Sequence, residues 1–374
     1  MKYDFVVPCL MGTESLAADE LRYHGFGDVE TENGRVVFVG DMAECARANI
    51  LLRCGERVLL RLASFEARTF EELFQGVRAI AWEDLIGRDD AFPVKGYSLE
   101  SQLHSVPACQ SIVKKAVVER LKEHHGVQWL EESGDRYQIQ FALNRDRAEI
   151  FLDTSGEPLY KRGYKQQSNI ATIRETLAAS MVKLARYRGR EDFIDPFCGS
   201  GTIAIEAAMA SLNIMPGIRR SFDCEQWGFY DVRVFDDLRE EYREGERREK
   251  LPIVAVDIDP ECVAITKENA RRAGVGDCIE VRRGDALKLE YPAERATLIT
   301  NPPYGQRMLD VEQARGLYRG LGKRTAKLEG LKKYIITSDP QFETCFGRKA
   351  DKKRKLYNGM IRCDLYMYFK SSGR

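Results

Sequence analysis

The chain has 374 residues, 44% hydrophobic and 31% charged, which is the composition of an ordinary globular protein with two or three domains. Its 58 basic side chains balance 58 acidic ones, so a uniformly basic nucleic-acid-binding protein is excluded, whereas a local basic face is not. The first residues lack the layout of a signal peptide and no apolar run is long enough for a membrane span, so we expect a cytoplasmic protein.

Residues 1–65 predict a ferredoxin-like domain. The run YDFVVPC indicates a strand, and the helix that follows it begins near Thr13. Asn33-Gly34 predicts the tight turn of a hairpin, and a second helix and a last strand follow. The resulting order, βαββαβ, is that of the ferredoxin-like fold.

Residues 66–165 predict a second unit of mixed α and β structure. Two helical runs, the second with Pro107 near its start, alternate with the strands AFPVKGYS, RYQIQFAL and RAEIFLDT. The unit ends in the cationic and aromatic run LYKRGYK, at residues 159–165.

Residues 166–374 predict a doubly wound α/β domain. Strands and helices alternate, which is typical of a parallel sheet. The run RKLYNGMIRCDLYMYFK near the end instead predicts an antiparallel hairpin that turns at Asn358-Gly359. The charged run at 236–250 predicts a solvated helix or insertion without chemistry.

Cysteine and histidine limit the chemistry of this last domain. The 10 cysteines form no CxxC pair, so we expect reduced thiols and no bound metal. All 4 histidines lie at or before His125, so reactions later in the chain must proceed without imidazole.

A glycine turn, Gly199-Ser200-Gly201-Thr202, joins a predicted strand to a helix, where a ligand can approach the backbone. By itself it could be a purely structural turn. A P-loop would require a lysine after the glycines, and a dinucleotide site an acidic residue about 20 positions on. No lysine follows these glycines, and the next acid at the end of a predicted strand, Asp257, comes 56 residues after Gly201. Asp195 before the turn suits a cationic ligand and would repel pyrophosphate. S-adenosylmethionine is such a ligand.

Two further acids follow later strands of the same predicted sheet. Asp257 is suited to the ribose hydroxyls of S-adenosylmethionine, with Ile258 packed on its adenine, and Asp285 to the adenine amino group. Any one of these carboxylates could instead cap a helix or a turn. Three acids at successive strand ends, together with the glycine turn, favour the cofactor site.

The next strand ends in Asn301-Pro302-Pro303-Tyr304, where the two prolines terminate the sheet ladder and stiffen the loop. A nucleobase amine gains positive charge when it attacks a sulfonium methyl group. The Asn301 side-chain carbonyl and the Pro302 backbone carbonyl could accept hydrogen bonds from that amine, while Tyr304 stacks on a base turned out of its helix. The alternative is a rigid turn over the sheet end.

Methylation at a pyrimidine carbon would require a cysteine nucleophile near this loop. No cysteine follows the prolines, and Cys198 in the glycine turn is better interpreted as a small packing residue.

The motifs DPFCGSGT, VDIDP, GDA and NPPY, in this order, resemble those of class I S-adenosylmethionine-dependent amino-methyltransferases. The N-terminal half looks like the ancillary and THUMP domains of RNA-modifying enzymes. With LYKRGYKQQSNIATIRETLAASMV and NIMPGIRRSFDCEQW, the whole chain is similar to bacterial THUMP-domain 23S ribosomal RNA guanine-N2 methyltransferases, in a form with one methyltransferase domain. The resemblance implies a Rossmann-like sheet and an RNA partner, either 23S ribosomal RNA or a ribosome assembly intermediate.

The resemblance also implies roles for individual residues. The catalytic residues would be Asn301, Pro302, Pro303 and Tyr304. The cofactor would be held by Thr172, Asp195, Phe197, Cys198, Gly199, Ser200, Gly201, Thr202, Asp257, Ile258, Asp285 and Ala286. Two cationic runs are predicted to bind RNA, through Lys161, Arg162, Tyr164 and Lys165 in the first and Lys352, Lys353, Arg354 and Lys355 in the second. Either run could instead be merely solvated.

Three other functions remain open from the sequence. Guanine-N2 methylation of transfer RNA is the nearest, because THUMP-type domains commonly serve transfer RNA enzymes. DNA adenine-N6 methylation would be expected to bring a target-recognition domain in place of this N-terminal half. A non-catalytic RNA-binding module predicts a degraded cofactor pocket, whereas the expected cofactor residues are present.

Overall fold

The computed structural model describes residues 2–165, 173–231, 233–304 and 310–369. Within these ranges the strands form two seven-stranded sheets, one in each half of the chain. None of the helices in the same ranges has the length and the apolar character needed to cross a membrane.

The first unit has the predicted βαββαβ order. Its elements are β1 (Tyr3–Pro8), α1 (Glu14–Tyr23), β2 (Glu30–Glu32), β3 (Arg35–Gly40), α2 (Met42–Leu51) and β4 (Leu59–Glu66). Thr13 takes the N-cap position of α1, but its hydroxyl donates to the Leu10 carbonyl and does not cap the helix. At α2, Asp41 and Glu44 form a capping box that satisfies two backbone N–H groups.

The second unit adds its strands to the same sheet. Its elements are α3 (Phe70–Arg78), β5 (Val94–Leu99), α4 (Val106–His125), β6 (Ile139–Asn144) and β7 (Arg147–Asp153). The sheet order is β2-β3-β1-β4-β7-β6-β5, and β4 runs antiparallel to β7 along its whole length. The two N-terminal units are therefore continuous through one sheet, which pattern reasoning did not predict.

The C-terminal half is the predicted Rossmann-like domain with a terminal hairpin. Its elements are α5 (Glu175–Ala185), β8 (Asp192–Asp195), α6 (Thr202–Ser211), α7 (Arg233–Glu244), β9 (Ile253–Asp257), α8 (Pro260–Ala273), β10 (Glu280–Arg283), β11 (Ala296–Thr300), α9 (Val311–Thr325), β12 (Leu331–Thr337), α10 (Phe342–Phe346), β13 (Lys352–Asn358) and β14 (Ile361–Tyr368). The predicted fold class is confirmed, and the short helix α10 is an addition to it.

The strand order places the ends of five parallel strands at one edge of the second sheet. The order is β10-β9-β8-β11-β12-β14-β13, with β10 to β12 parallel and the last two strands antiparallel. The direction of strand order reverses at β8, which lies between β9 and β11. Ligands of open α/β sheets bind beyond the carboxyl ends of the strands at such a switch point.

The second basic run lies in the hairpin itself. The sequence pattern predicts the hairpin from Arg354 onward, whereas in the structure β13 begins two residues earlier, at Lys352, which pairs with Met367 of β14. Lysine has a low strand propensity, so the pattern does not indicate these two residues, whereas an edge strand tolerates lysine well.

The segment between α6 and α7 joins the two halves of the molecule. Gly217 donates to the Ile50 carbonyl at 2.8 Å, and a Cβ at this glycine would lie 2.6 Å from the Ile50 Cα. Trp227 stacks on Tyr137 with ring centroids 5.0 Å apart, and the Tyr230 hydroxyl donates to the Met42 carbonyl. This segment therefore packs against both N-terminal units.

Candidate active site

A cleft of about 400 Å³ opens at the switch point of the second sheet. The residues predicted for the cofactor and the target base that line it are Asp195, Phe197, Cys198, Gly199, Ser200, Thr202, Asp257, Ile258, Asp285, Ala286, Asn301, Pro302, Pro303 and Tyr304. Of the other two predicted cofactor residues, Gly201 is not part of the lining and Thr172 lies outside the described residues. Residues on four strand ends thus converge on a single space.

The glycine turn is held in place from α8. The Thr266 hydroxyl donates to the Gly199 carbonyl at 2.8 Å, and the Asn269 amide donates to the Ser200 carbonyl at 2.9 Å. Gly201 has φ +80°, and a Cβ there would lie 2.5 Å from the Thr266 methyl carbon. Gly201 therefore allows close packing between the turn and α8. The sequence did not identify Thr266 or Asn269, because only the tertiary contact reveals them.

Asp257 and Asp285 are both oriented by backbone amides. Asp257 accepts from the Gly199 amide at 2.9 Å with one oxygen and from the Asp259 amide at 3.0 Å with the other. Asp285 accepts from the Leu287 amide at 2.9 Å. Such bonds hold each carboxylate in one orientation while lone pairs remain for a ligand. Ile258, 62% exposed, presents an apolar surface beside them.

Asp195 lies buried on the floor of the cleft. One of its oxygens accepts from the Thr300 hydroxyl at 2.6 Å and from the Phe197 amide at 3.3 Å, so it connects β8 to β11. Burial raises the pKa of Asp195 to about 7, although the Thr300 and Phe197 hydrogen bonds act in the opposite direction. A cation placed nearby would favour the ionised form.

Cys198 is unsuited to nucleophilic catalysis. Its sulfur lies 3.6 Å from the Thr266 hydroxyl oxygen, and burial raises the pKa of the thiol well above its ordinary value. Because the thiolate is the reactive form, this cysteine is inert at neutral pH. The geometry supports the interpretation of Cys198 as a packing residue.

Hydrogen bonds from two other elements hold the 301–304 loop in place. The Tyr318 hydroxyl, on the buried face of α9, lies 3.1 Å from both the Pro303 carbonyl and the Thr337 hydroxyl. The Asn358 amide donates to the Tyr304 hydroxyl at 3.2 Å. Neither Tyr318 nor Asn358 was predicted as a site residue, since each belongs to a remote element that only the fold brings to the loop.

The chemistry of the lining fits S-adenosylmethionine. Four aspartates line the cleft, namely Asp195, Asp257, Asp259 and Asp285, and no lysine or arginine is among its described lining residues. A pyrophosphate would meet net negative charge there because, in the part of the chain that the structure describes, only Asp285 among these acids has a nearby lysine, Lys288 at 3.6 Å. An ammonium or sulfonium group would instead be stabilised. Apolar side chains such as Ile173 and Leu317 complete the wall for the uncharged parts of the ligand.

The structure contradicts the RNA-binding prediction for three residues of the first cationic run. Arg162 is buried and donates to the backbone carbonyl oxygens of two neighbouring segments. The buried Tyr164 hydroxyl donates to Glu206 at 3.0 Å, and the Lys165 ammonium to a backbone carbonyl at 3.0 Å. These groups form structural contacts where the N-terminal and C-terminal halves of the chain meet. Lys161 alone is largely exposed, beside Glu157.

The second cationic run lies on the outer strand of the terminal hairpin. Lys352, Lys353 and Lys355 are exposed, and Lys353 pairs with Glu343 at 2.8 Å. The Arg354 guanidinium lies 3.3 Å from the Ser15 hydroxyl of the N-terminal unit. Within the described ranges, no cluster of histidine, cysteine and carboxylate side chains is arranged to hold a metal ion.

Comparison with known families divides the chain into three matched stretches. Residues 4–59 match the RlmL ferredoxin-like domain and residues 67–153 match the THUMP domain. Residues 162–367 match the RMKL-like methyltransferase domain.

Individual relatives align over almost the whole chain. The Bacillus subtilis protein named "Putative RNA methyltransferase YpsC" is 42% identical over 98% of this chain and 96% of its own length. A "Ribosomal RNA large subunit methyltransferase K/L" from Psychromonas ingrahamii is 33% identical over 97% of this chain, which spans only 50% of that longer protein. The crystal structure of SMU.472 complexed with SAH superposes with a TM-score of 0.93 and 38% identity, covering 100% of this chain and 99% of that one.

Proposed function

The chain belongs to the RMKL-like methyltransferase family, and from this premise we propose that it methylates the exocyclic N2 amine of a guanine in large-subunit ribosomal RNA. S-adenosylmethionine is its cofactor. The observation that carries the proposal is the convergence of the 301–304 loop with Asp257 and the glycine turn in one cleft.

The proposed cofactor contacts follow from the cleft walls. Asp257 would accept from the ribose hydroxyls, Asp285 from the adenine amino group, and Ile258 would pack on the adenine ring. Bound S-adenosylmethionine supplies an electrophilic methyl group on a positively charged sulfur. The carboxylates would complement the cationic end of this ligand, whose charge would favour the ionised form of the buried Asp195.

The 301–304 loop would stabilise the reacting amine. Its nitrogen is planar and weakly nucleophilic while its lone pair is delocalised into the guanine ring. It becomes tetrahedral and positively charged as the new N–C bond forms and the bond between the methyl carbon and the sulfur breaks. The Asn301 side-chain carbonyl and the Pro302 carbonyl are acceptors for its two N–H groups, and these hydrogen bonds strengthen as the charge develops. Tyr304 would stack on the base, and no general base is required until the nitrogen has become acidic.

RNA is favoured as the substrate by the N-terminal half. That half matches domains known from RNA enzymes over 4–59 and 67–153, and the full-length relative YpsC carries an RNA methyltransferase name. The large subunit is favoured by the K/L relatives, whose names specify it. Lys161 and residues 352–355 would bind the phosphate backbone of the RNA. Arg162 of the first run is buried and Lys165 is largely buried, so they would not contact it.

Mapping the methyl group tests the proposal. Large-subunit and transfer RNA from a strain without this gene would be digested and compared with wild-type RNA by mass spectrometry, and the purified protein would then restore the missing group in vitro. We expect one N2-methylguanosine to be absent from the large-subunit RNA and restored by the wild-type protein. Loss from transfer RNA alone, or loss of a methyladenosine, would contradict the proposed substrate.

A further inference from the structure

The turn of the terminal hairpin projects past the edge of the sheet that carries the active site. β14 pairs with β12 up to the pair Thr337 and Asp364, where β12 ends. The hairpin continues for three further pairs, 356–358 against 361–363. At the rise of a β-strand this is about 10 Å beyond the sheet edge. Because β12 is parallel to β11, this is the edge at which Asn301 follows its strand.

The projecting turn touches the 301–304 loop. The Asn358 amide donates to the Tyr304 hydroxyl at 3.2 Å, and the Cys363 thiol also lies within hydrogen-bonding reach of the Tyr304 side chain. Both strands of the projecting part thus contact the residue proposed to stack on the target base. The two turn residues, Gly359 and Met360, follow Asn358 directly, so they lie within about 7 Å of it along the chain.

The tip of the turn is apolar, and two exposed cations lie on the strands that lead to it. Met360 is 99% exposed, which is the highest value for a large hydrophobic side chain among the described residues. Exposed Arg362 and Lys355 lie on the two strands that lead to it. A bare methionine gains nothing for folding, whereas cations beside an apolar tip suit a negatively charged polymer with stacked bases.

We propose that Met360 is a wedge that enters the base stack of the RNA and fills the space left by the target guanine as it turns into the cleft. The inference rests on the proposed function, since it requires a base-flipping reaction on RNA. Extruding a base costs its stacking and pairing energy, a few kcal/mol. Apolar side chains, methionine among them, stabilise opened base steps by inserting between them. Met360 follows two residues after Asn358, whose amide bonds to the Tyr304 hydroxyl, so the hairpin brings it to the end of the sheet at which the base would open.

Two short RNA stem-loops that carry the mapped guanine test the wedge. In one the guanine faces a cytidine, and in the other it faces an abasic residue, which makes flipping easier. Single-turnover methylation would be measured with saturating S-adenosylmethionine for wild type, Met360→Ala, Met360→Leu and Tyr23→Ala. Tyr23 is a matched control, because it is another strongly exposed apolar side chain but lies in the N-terminal unit.

We expect Met360→Ala to slow methylation of the paired guanine by about tenfold and that of the unpaired guanine by less than about twofold, because only the paired base needs help in leaving the helix. Met360→Leu and Tyr23→Ala should keep the wild-type rates, and cofactor affinity should stay constant throughout. Equal rates for Met360→Ala and wild type, or equal losses on both RNAs, would overturn the wedge. Failure of the wild-type protein to methylate either RNA would instead overturn the proposed function, and the wedge with it.

Discussion

Asn301 is the residue on which the proposed chemistry depends most directly. It follows β11 at the sheet edge and is among the residues that line the cleft, together with Asp257 and the glycine turn. A side-chain carbonyl aimed at a developing positive charge acts in the transition state and contributes little to ground-state binding.

Asn301→Ala should therefore reduce the single-turnover methylation rate by about 10²- to 10³-fold, the usual cost of removing one charge-stabilising hydrogen bond. Its S-adenosylmethionine affinity, measured by calorimetry, should match wild type. Asn213→Ala is the control, since Asn213 bonds to the Gly245 carbonyl on an exposed loop. A near wild-type rate for Asn301→Ala would show that another group stabilises the amine.

The buried Asp195 should make cofactor binding sensitive to pH. Burial raises the pKa of its carboxyl group to about 7, so the free protein holds a proton there in mild acid. A cationic ligand favours the carboxylate, so binding releases this proton. Affinity for S-adenosylmethionine should rise with pH by up to about tenfold per unit below pH 7 and level off above it. Titration calorimetry across this range checks the slope, which should be shallower in Asp195→Asn.

At the scale of elements, the glycine turn shows how backbone geometry supports the site. Gly201 has φ +80° and leaves no room for a Cβ against Thr266. Gly201→Ala should lower the free energy of unfolding by about 1–3 kcal/mol and weaken cofactor binding. Gly316→Ala in α9 is the matched control, because a Cβ there meets no atom within 4 Å and φ is not positive. Thermal unfolding with and without S-adenosylmethionine separates the loss of stability from the loss of cofactor binding. Equal melting temperatures for Gly201→Ala and Gly316→Ala under both conditions would argue against the packing role of Gly201.

The β13 strand allows a test of the proposed RNA interface. Replacing all four cations at 352–355 by glutamine should weaken RNA binding and reduce the slope of log affinity against log salt by up to about 0.9 for each phosphate that is no longer neutralised. Cofactor affinity should not change. The control removes the exposed cations Arg243, Arg248 and Lys250 of the charged run near α7. Equal RNA affinity and equal salt slope in both variants would remove β13 from the interface.

Local sequence patterns predicted the helices and strands well, but they did not predict which of these elements contact one another. Period-2 and βα patterns indicated the strands of both sheets, and Asn358-Gly359 indicated the last turn, because these signals are contained in a few consecutive residues. The pairing of β4 with β7 and the bonds from Tyr318 to the 301–304 loop are contacts between distant segments. Composition likewise could not show that Arg162 is buried. The domain boundaries near 65 and 165 stay a prediction.

Across the whole molecule, one hydrophobic cluster runs through all three predicted domains. It contains Phe5 and Phe38 of the first unit, Trp82 of the second, and Trp227 and Met367 of the third. With the shared N-terminal sheet and the docking segment after α6, this leaves little surface along which the units could separate.

Calorimetric unfolding should accordingly show one cooperative transition, with a van't Hoff enthalpy close to the calorimetric one. Saturating S-adenosylmethionine should move that entire transition upward, because the ligand binds only the folded chain. SAH offers a second ligand for the same measurement. Two separate transitions, of which the ligand shifts only one, would show that the halves unfold independently.

The contacts of α6 with the segment before residue 165 affect how the C-terminal half can be produced as a separate fragment. Glu206 lies on this helix with a fully buried carboxylate, beside the Arg162 guanidinium at 3.6 Å and the Tyr164 hydroxyl at 3.0 Å. A fragment that begins after Lys165 would lack Arg162 and so leave the buried Glu206 carboxylate without a countercharge. This should lower the free energy of unfolding of the fragment by several kcal/mol. Truncations meant to yield a free-standing catalytic fragment should start upstream of Arg162 or carry Glu206→Gln as well. Homologues in which Arg162 is replaced are expected to have replaced Glu206 as well, and the reverse.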